Sequence, residues 1–517
     1  MNLDQTLPDK APRPAPTSPT PSAASRLVWI AVCVLFPIAI IAASWVGYLE
    51  TDDLAYARAA EGWMLDAPFL GQSHWALRHF IVLPLAASFS IFGRGELALA
   101  MPMLVYGIGL LLLMGLCVWR VAGPLAGLIA PLLITTVPAF SSGATVVYTD
   151  VPEAFFVIAS FWAFYFATGS PRRGTFVLAG LLAGCGFLTR ETAIAVLVPY
   201  AILFLAGYGR RGNYVWIGIG FAAIVGLDAI YLWLLSGDPL WRIHVTQRGL
   251  SGDSPYTPGL KAPAGMDDPF GIYSLPRPLQ ALVMLFASPA IGLLAWFGIP
   301  ASAYLAWSPP PGKVGRAARL FVLLAVCWFA VLSFALLSLW LIPRYQIVTF
   351  CALAVPSAIL LADWLNRGHG LRTAAVVLPM LAVGVALATA SDHGLMFGER
   401  ALADFVRHEN EPVRTDPATL RGAKWLLENA GAGGRVSAAL PAPGGLYFVN
   451  HMPRRRLAAD WPVRDIPPGS TVVASYVQQP SVIARAAGYL GLDRVLPPLL
   501  WKKIQPAPRR AEVVRMP

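Results

Sequence analysis

Two adjacent carboxylates, Asp52 and Asp53, follow directly on residues 27–49, a run of 23 containing no Asp, Glu, Lys or Arg. Acids so placed can take a proton from a hydroxyl, or merely stop a helix in headgroup water. The stretch they open, through Tyr56, Arg58, Glu61 and Met64, is amphipathic and suits a helix lying along a membrane surface. A third carboxylate, Asp150, stands in Tyr148-Thr149-Asp150-Val151-Pro152-Glu153 at the start of another apolar run. It fits a helix cap, with Pro152 in the first turn and Glu153 three residues on, and equally a catalytic acid. Thr189-Arg190-Glu191-Thr192 separates two short apolar runs, so Arg190 and Glu191 either pair with each other or face a ligand. Pro343-Arg344-Tyr345 forms a tight turn between two strongly apolar runs, and its guanidinium suits a phosphate oxyanion or a snorkelled contact with lipid phosphate. Trp241, Arg242, His244, Gln247, Arg248 and Lys261 add positive charge in a loop, where solvation explains them as well as ligand binding does.

The elements that must position these residues are membrane helices. Of 517 residues, 56% are hydrophobic and 13% charged, against roughly 25% charged in a soluble domain. That excludes a soluble globular enzyme and predicts a polytopic α-helical membrane protein. The apolar runs 27–49, 97–119, 121–140, 151–168, 174–188, 192–207, 214–236, 281–307, 320–341, 346–362 and 373–390 give about 11 spans. Residues 77–92 are apolar but short and carry Arg78 and His79, so they read as a juxtamembrane or re-entrant helix on the outer side. With the N-terminus inside, Arg120, Arg172, Arg173, Arg210, Arg211, Lys313, Arg316, Arg319, Arg367 and Arg372 all fall on the cytoplasmic side. The net charge of +11 is thereby an orientation signal and not a nucleic-acid footprint.

This topology leaves residues 50–96, 141–150 and 237–280, with everything after about 391, on the outer face. Residues 1–26, rich in Pro, Ala, Ser and Thr, read as a disordered cytoplasmic tail, and 27–49 as an uncleaved span. Residues 27–390 form the transmembrane domain. From 391 to 517 the composition turns globular, with an amphipathic stretch at 420–429 and β-like runs at 435–439 and 471–477, so a small extracytoplasmic α/β domain is expected. Arg454, Arg455 and Arg456 there could meet an anionic partner or simply be solvated. Cys33, Cys117, Cys185, Cys327 and Cys351 all lie in apolar runs, which indicates neither a disulfide framework nor a Cys metal site. No internal repeat of the kind many transporters carry is visible.

Taken together, these residues resemble the GT-C superfamily of membrane glycosyltransferases, in the protein mannosyltransferase and lipid A aminoarabinose transferase branch, glycosyltransferase family 39. The resemblance covers roughly residues 27–390. The family's Asp-Glu-x-x-Tyr-Ala motif is matched by Asp52-Asp53-Leu54-Ala55-Tyr56-Ala57, and its second-loop Asp by Asp150. Its Leu-Thr-Lys-Gly segment is matched loosely by Leu188-Thr189-Arg190-Glu191, and its Pro-Arg-Tyr turn by Pro343-Arg344-Tyr345. Its Lys-Pro-Pro-Leu is not kept; Leu77-Arg78-His79-Phe80 stands there, so the lysine's part falls to Arg78 or His79 or is absent. The order and shared sidedness of the motifs carry the likeness.

The resemblance implies a hexosyl- or pentosyltransferase that moves a sugar, with inversion, from a polyprenyl-phosphate donor to a hydroxyl of a lipid, polysaccharide or protein. It implies a bacterial inner membrane with the site facing the periplasm. Asp52 would be the base, with Asp53 and Asp150 beside it in the catalytic group. Arg344, Tyr345, Arg190, Glu191, Arg78, His79 and Tyr56 would bind substrate. No cofactor is required; the carboxylates leave a divalent metal open, though no spacing demands one. An O-antigen ligase or polymerase is the enzymatic alternative, but the acid pair after the first span argues against it. A lipid-linked sugar transporter or flippase should carry charges near mid-span, and Asp228 is the residue that fits.

Overall fold

The computed structural model describes residues 35–169, 172–251, 275–336, 341–390, 394–453, 461–463, 465–495 and 498–517. The tail 1–26, Lys261 and Arg454 to Arg456 lie outside the described residues, as does the loop from 252 to 274.

The first apolar run is helical over 35–43 and then leaves the helix, so its last residues form an irregular strap and not a continued span. Helix α1 (Asp52–Leu65) follows, then α2 (His79–Phe92) and α3 (Glu96–Ala122). Gly123, at φ +92°, ends α3, and Pro124, tolerated in a first turn, opens α4 (Pro124–Thr135). The expected span 121–140 is in fact two helices, because Pro138 starts the short α5 (Pro138–Gly143). Helices α6 (Asp150–Thr168) and α7 (Arg173–Thr189) follow; residues 191–196 are a 3₁₀ turn leading into α8 (Leu197–Leu205). Then come α9 (Tyr214–Ser236), α10 (Trp241–Ser251), α11 (Arg277–Ala287), α12 (Leu294–Trp307) and α13 (Gly312–Ala330). The expected run 281–307 is thus also divided, between α11 and α12. Helices α14 (Ile347–Asn366) and α15 (Gly370–Ala390) close the membrane part.

Among the described residues six helices are long and apolar enough to cross a membrane, and the remaining apolar runs fold as shorter or broken helices. The chain is a helical membrane protein. Its main core joins α3 to α9 with α11 to α14, with Phe161, Trp162, Phe321 and Trp328 among its fully buried side chains. Helices α7 and α9 meet through glycine. A Cβ on Gly180 would stand 2.0 Å from the carbonyl oxygen of Ile217, and one on Gly220 would stand 2.2 Å from that of Val177. Only hydrogen at these positions lets the two backbones touch. The described cysteines Cys117, Cys185, Cys327 and Cys351 are free thiols.

After α15, the C-terminal part holds α16 (Phe397–His408), β1 (Val413–Thr415), α17 (Pro417–Asn429), β2 (Val436–Ala438), β3 (Leu446–Asn450), β4 (Thr471–Val477), α18 (Val482–Tyr489), α19 (Pro498–Ile504) and β5 (Arg510–Arg515). Asp416 caps α17 by accepting from the Thr419 amide at 2.8 Å. The sheet order is β2-β1-β3-β5-β4; β1 pairs in parallel with β2 and β3, while β5 runs antiparallel between β3 and β4. The expected α/β domain is present, with β2 and β4 where alternation places them. It is not a separate body. Trp425 and Phe448 share a second core with Val46, Tyr48, Tyr56, Phe89 and Leu99.

Candidate active site

The strap 44–51 sets the geometry. It turns through Gly47 at φ +69° and Glu50 at φ +56°. Asp53, fully buried, accepts from the amides of Leu49 at 2.6 Å and Thr51 at 2.5 Å and from the Thr51 hydroxyl at 3.2 Å. Burial pushes its carboxyl upward while these donors pull it down. Neighbours on a helix point about 100° apart, so the acid pair divides its work. Asp53 ties down the strap; Asp52 lines a cavity of about 390 Å³.

That cavity gathers residues from six places in the chain. Besides Asp52 it is lined by His74, Trp75 and Arg78, by Tyr148 and Asp150, by Arg190, Glu191 and Thr192, by Thr246, and by Arg344 and Tyr345. Asp150 is the first residue of α6, and its carboxylate does not cap the helix. It accepts from Arg190 Nη1 at 2.5 Å and ion-pairs with Arg344 Nε at 3.3 Å. Arg190 also reaches Glu153 at 3.5 Å and lies 3.8 Å over the Tyr345 ring, while Arg344 lies 3.7 Å over Tyr148. Arg190 and Glu191 therefore do not pair with each other. Glu191 instead meets Arg78 at 3.3 Å and Arg242 at 3.8 Å. Arg78 donates to the Tyr56 hydroxyl, whose pKa burial pushes up to about 12, so Tyr56 stays protonated.

Three guanidiniums and three carboxylates thus line one space, and they are not equally committed. Asp150 and Glu191 are each held by two arginines. Asp52 has no hydrogen bond or ion pair among the described residues. Arg78 Nε is buried without a hydrogen-bond acceptor and so keeps a donor to offer, whereas Arg344 Nε, also without an aligned acceptor, stands against the Asp150 carboxylate at 3.3 Å and is held there by charge. His74 is pushed below its ordinary pKa by burial and then by Arg78, which leaves it neutral at pH 7.

Three residues expected at the site do not line the cavity: Tyr56 is fully buried with its hydroxyl on Arg78, and the other two stand further off. Asp53 is behind the strap, and His79 is turned to α9, where its Nδ1 lies 2.8 Å from Asp228. Arg242 completes that cluster, donating to Asp228 from Nε at 2.8 Å and Nη2 at 3.0 Å and also to the Leu77 carbonyl. The mid-span carboxylate that suited a transporter is therefore a paired strut between α2, α9 and α10. Of the choice between Arg78 and His79, the structure brings Arg78 to the cavity. Helix α1 does not lie bare on a membrane surface: Arg58 meets Glu428, and Trp425 donates to Glu61 at 3.3 Å. Sequence reasoning missed His74 and Trp75, whose signal was an adjacent imidazole and indole between α1 and α2. It also missed Tyr148 as the bed for Arg344. Among the described residues no three His, Cys, Asp or Glu side chains gather as a metal site. Asp150 already faces two guanidiniums, a poor setting for a cation, which leaves Asp52 as the acid a divalent metal would meet first.

Residues 80–234 match the family model of dolichyl-phosphate-mannose-protein mannosyltransferases. The match includes Asp150, Arg190 and Glu191 and stops short of Asp52 and Arg344. The fold is similar to that of ArnT from Cupriavidus metallidurans bound to undecaprenyl phosphate, with 14% identity, TM-score 0.53, and 83% of this chain and 94% of that one covered. For the same protein in the apo state the values are 15%, 0.51, 83% and 93%. The archaeal oligosaccharyltransferase AglB from Archaeoglobus fulgidus, in complex with an inhibitory peptide and a dolichol-phosphate, aligns at 14% identity and TM-score 0.48 over 80% of this chain. The chain spans 64% of the AglB length. No curated protein matches in sequence.

Proposed function

We propose that this chain, a GT-C superfamily glycosyltransferase by its fold and its family match, moves a sugar from a polyprenyl-phosphate donor to an acceptor hydroxyl at the outer face of the membrane. The observation that carries the reading is the uncommitted Asp52 facing Arg78, Arg190 and Arg344 in one cavity. A lipid-borne donor suits it, since the polyprenyl tail stays among the helices while the phosphate meets the guanidiniums. The acceptor oxygen forms its bond to the anomeric carbon as the bond from that carbon to the phosphate oxygen breaks. The electron pair goes to the phosphate, and the acceptor's proton goes to Asp52. A carboxylate is a weak base toward an alcohol, so the proton moves late, as the hydroxyl oxygen becomes bonded. The spare donor on Arg78 and the positive charge of Arg344 take up charge developing on the phosphate, and Asp150 keeps Arg190 and Arg344 in place for it. One displacement inverts the anomeric centre.

The basic turns assigned to the cytoplasm by the positive-inside rule support a cavity and C-terminal domain on the opposite side, which in a bacterial inner membrane is the periplasm. The acceptor is a hydroxyl of a lipid, glycan or protein. No step needs a metal, and a chelator is expected to leave transfer intact, with a divalent cation acting at most through Asp52. The test is transfer of radiolabelled sugar from a panel of polyprenyl-phosphate donors to membrane extracts, comparing wild type with Asp52→Asn. Transfer by the wild type that is lost in a folded Asp52→Asn protein supports the reading. Equal transfer by both removes Asp52 as the base, and no transfer from any donor overturns the function.

A further inference from the structure

Among its described residues the C-terminal domain carries an apolar surface on α18 that its own core does not use. In α18, Ala484 and Ala487 face inward, where they pack with Ile504, Leu492 and Trp501. The opposite face bears Val482, Ala486 and Tyr489 at i, i+4 and i+7, followed at once by Leu490. This outward face holds the larger side chains: Val482 is 64% exposed, Tyr489 92%, Leu490 75% and, after a short turn, Val495 78%. Large apolar groups outside and alanines inside reverse the order of a soluble helix. Within residues 482–495 Arg485 and Arg494 are exposed, with Asp493 as the acid, and Lys502 is exposed on α19. Basic residues beside aliphatic and aromatic ones match the chemistry of a bilayer's headgroup boundary.

The position agrees with that chemistry. Thr389 and Ala390, the last residues of α15, share a crevice with Ser481, Ala484 and Ile504. Helix α15 is apolar and long enough to span, and Leu378 and Val383 on it are exposed, as a lipid-facing helix requires. The chain enters α15 at Gly370 and leaves at Ala390, on the end where α14 begins at the cavity turn 343–346. The patch therefore lies on a helix whose inner face packs beside the end of α15, close to the level where that helix leaves the bilayer.

We propose that residues 482–495 are an interfacial anchor, with Val482, Tyr489, Leu490 and Val495 immersed in the outer headgroup region and Arg485, Arg494 and Lys502 reaching lipid phosphates. The C-terminal domain is thereby held to the membrane at two places, its shared core with α1 and α2 and this element.

The test uses the full chain in nanodiscs of phosphatidylethanolamine and phosphatidylglycerol. The photoreactive residue p-benzoylphenylalanine replaces Tyr489 in one variant, Leu490 in a second and, as a control on the same domain, the exposed Leu440 in a third. Mass spectrometry after irradiation should find phospholipid adducts at 489 or 490 several-fold above the control. Adducts to a second copy of the chain, or lipid yields at both positions no higher than at Leu440, would overturn the anchor. Neither result depends on the transferase reading, since no turnover is measured.

Discussion

At the scale of single residues, the neighbours Asp52 and Asp53 separate chemistry from architecture. Asp53→Asn puts an amide nitrogen against amides that now donate to a carboxylate, and a buried donor without an acceptor costs about 1–3 kcal/mol. The variant should melt several degrees lower than wild type, measured by thermal unfolding in detergent, whereas Asp52→Asn should melt unchanged and lose transfer. Equal melting of the two would remove Asp53 from the strap. Arg344→Lys keeps the charge but not the planar group stacked on Tyr148 and paired with Asp150. Loss of a charged hydrogen bond of about 1.5–3 kcal/mol should lower kcat/KM for the donor by roughly tenfold to a hundredfold. Steady-state kinetics over donor concentration checks it, and an unchanged kcat/KM would take Arg344 out of the site.

At the scale of elements, close contact between α7 and α9 places the Arg190 end of α7 against the rest of the site. Gly180→Val drives a side chain into the Ile217 carbonyl, and the helices must part. The folded yield of this variant should fall sharply, while Gly218→Ala on α9, with open space at its Cβ, should leave it unchanged. Size-exclusion profiles of the two proteins make the comparison. Such contacts were hidden in the sequence, where Gly180 looks like any other glycine in an apolar run. The breaks in the apolar runs were only partly legible: Pro124 and Pro138 open new helices, but Pro84, Pro102, Pro131 and Pro356 lie inside continuous ones, so proline alone does not mark a break. Hydropathy sees only an unbroken apolar stretch.

At the scale of the whole molecule, the C-terminal domain reaches the strap that carries Asp52. Arg400 on α16 donates to the carbonyls of Val46 at 2.7 Å and Tyr48 at 3.1 Å and pairs with Glu96 at 2.8 Å. Arg400→Ala, far from any reacting atom, should lower kcat about tenfold or more, since a small misplacement of a reacting group is enough for that. KM for the donor should hold. A kcat equal to wild type would show that the strap keeps its shape without the domain.

The sequence alone determined the membrane class, the place of the acids and arginines at the ends of apolar runs and the existence of a C-terminal α/β domain. Hydrophobic run length, charge at helix ends and strand alternation are local properties that any chain of this composition must express. It also singled out Asp52, Asp150, Arg190, Arg344 and Arg78, because ionisable groups in so apolar a chain need solvent or partners. Tertiary structure decided who those partners are. That Asp150 takes Arg190 and Arg344, that Glu191 turns to Arg78 and Arg242, and that His79 leaves the site for Asp228 depend on which helices become neighbours. Residues 52, 150, 190 and 344 meet only after the helices between them have packed, and no window of sequence contains that distance.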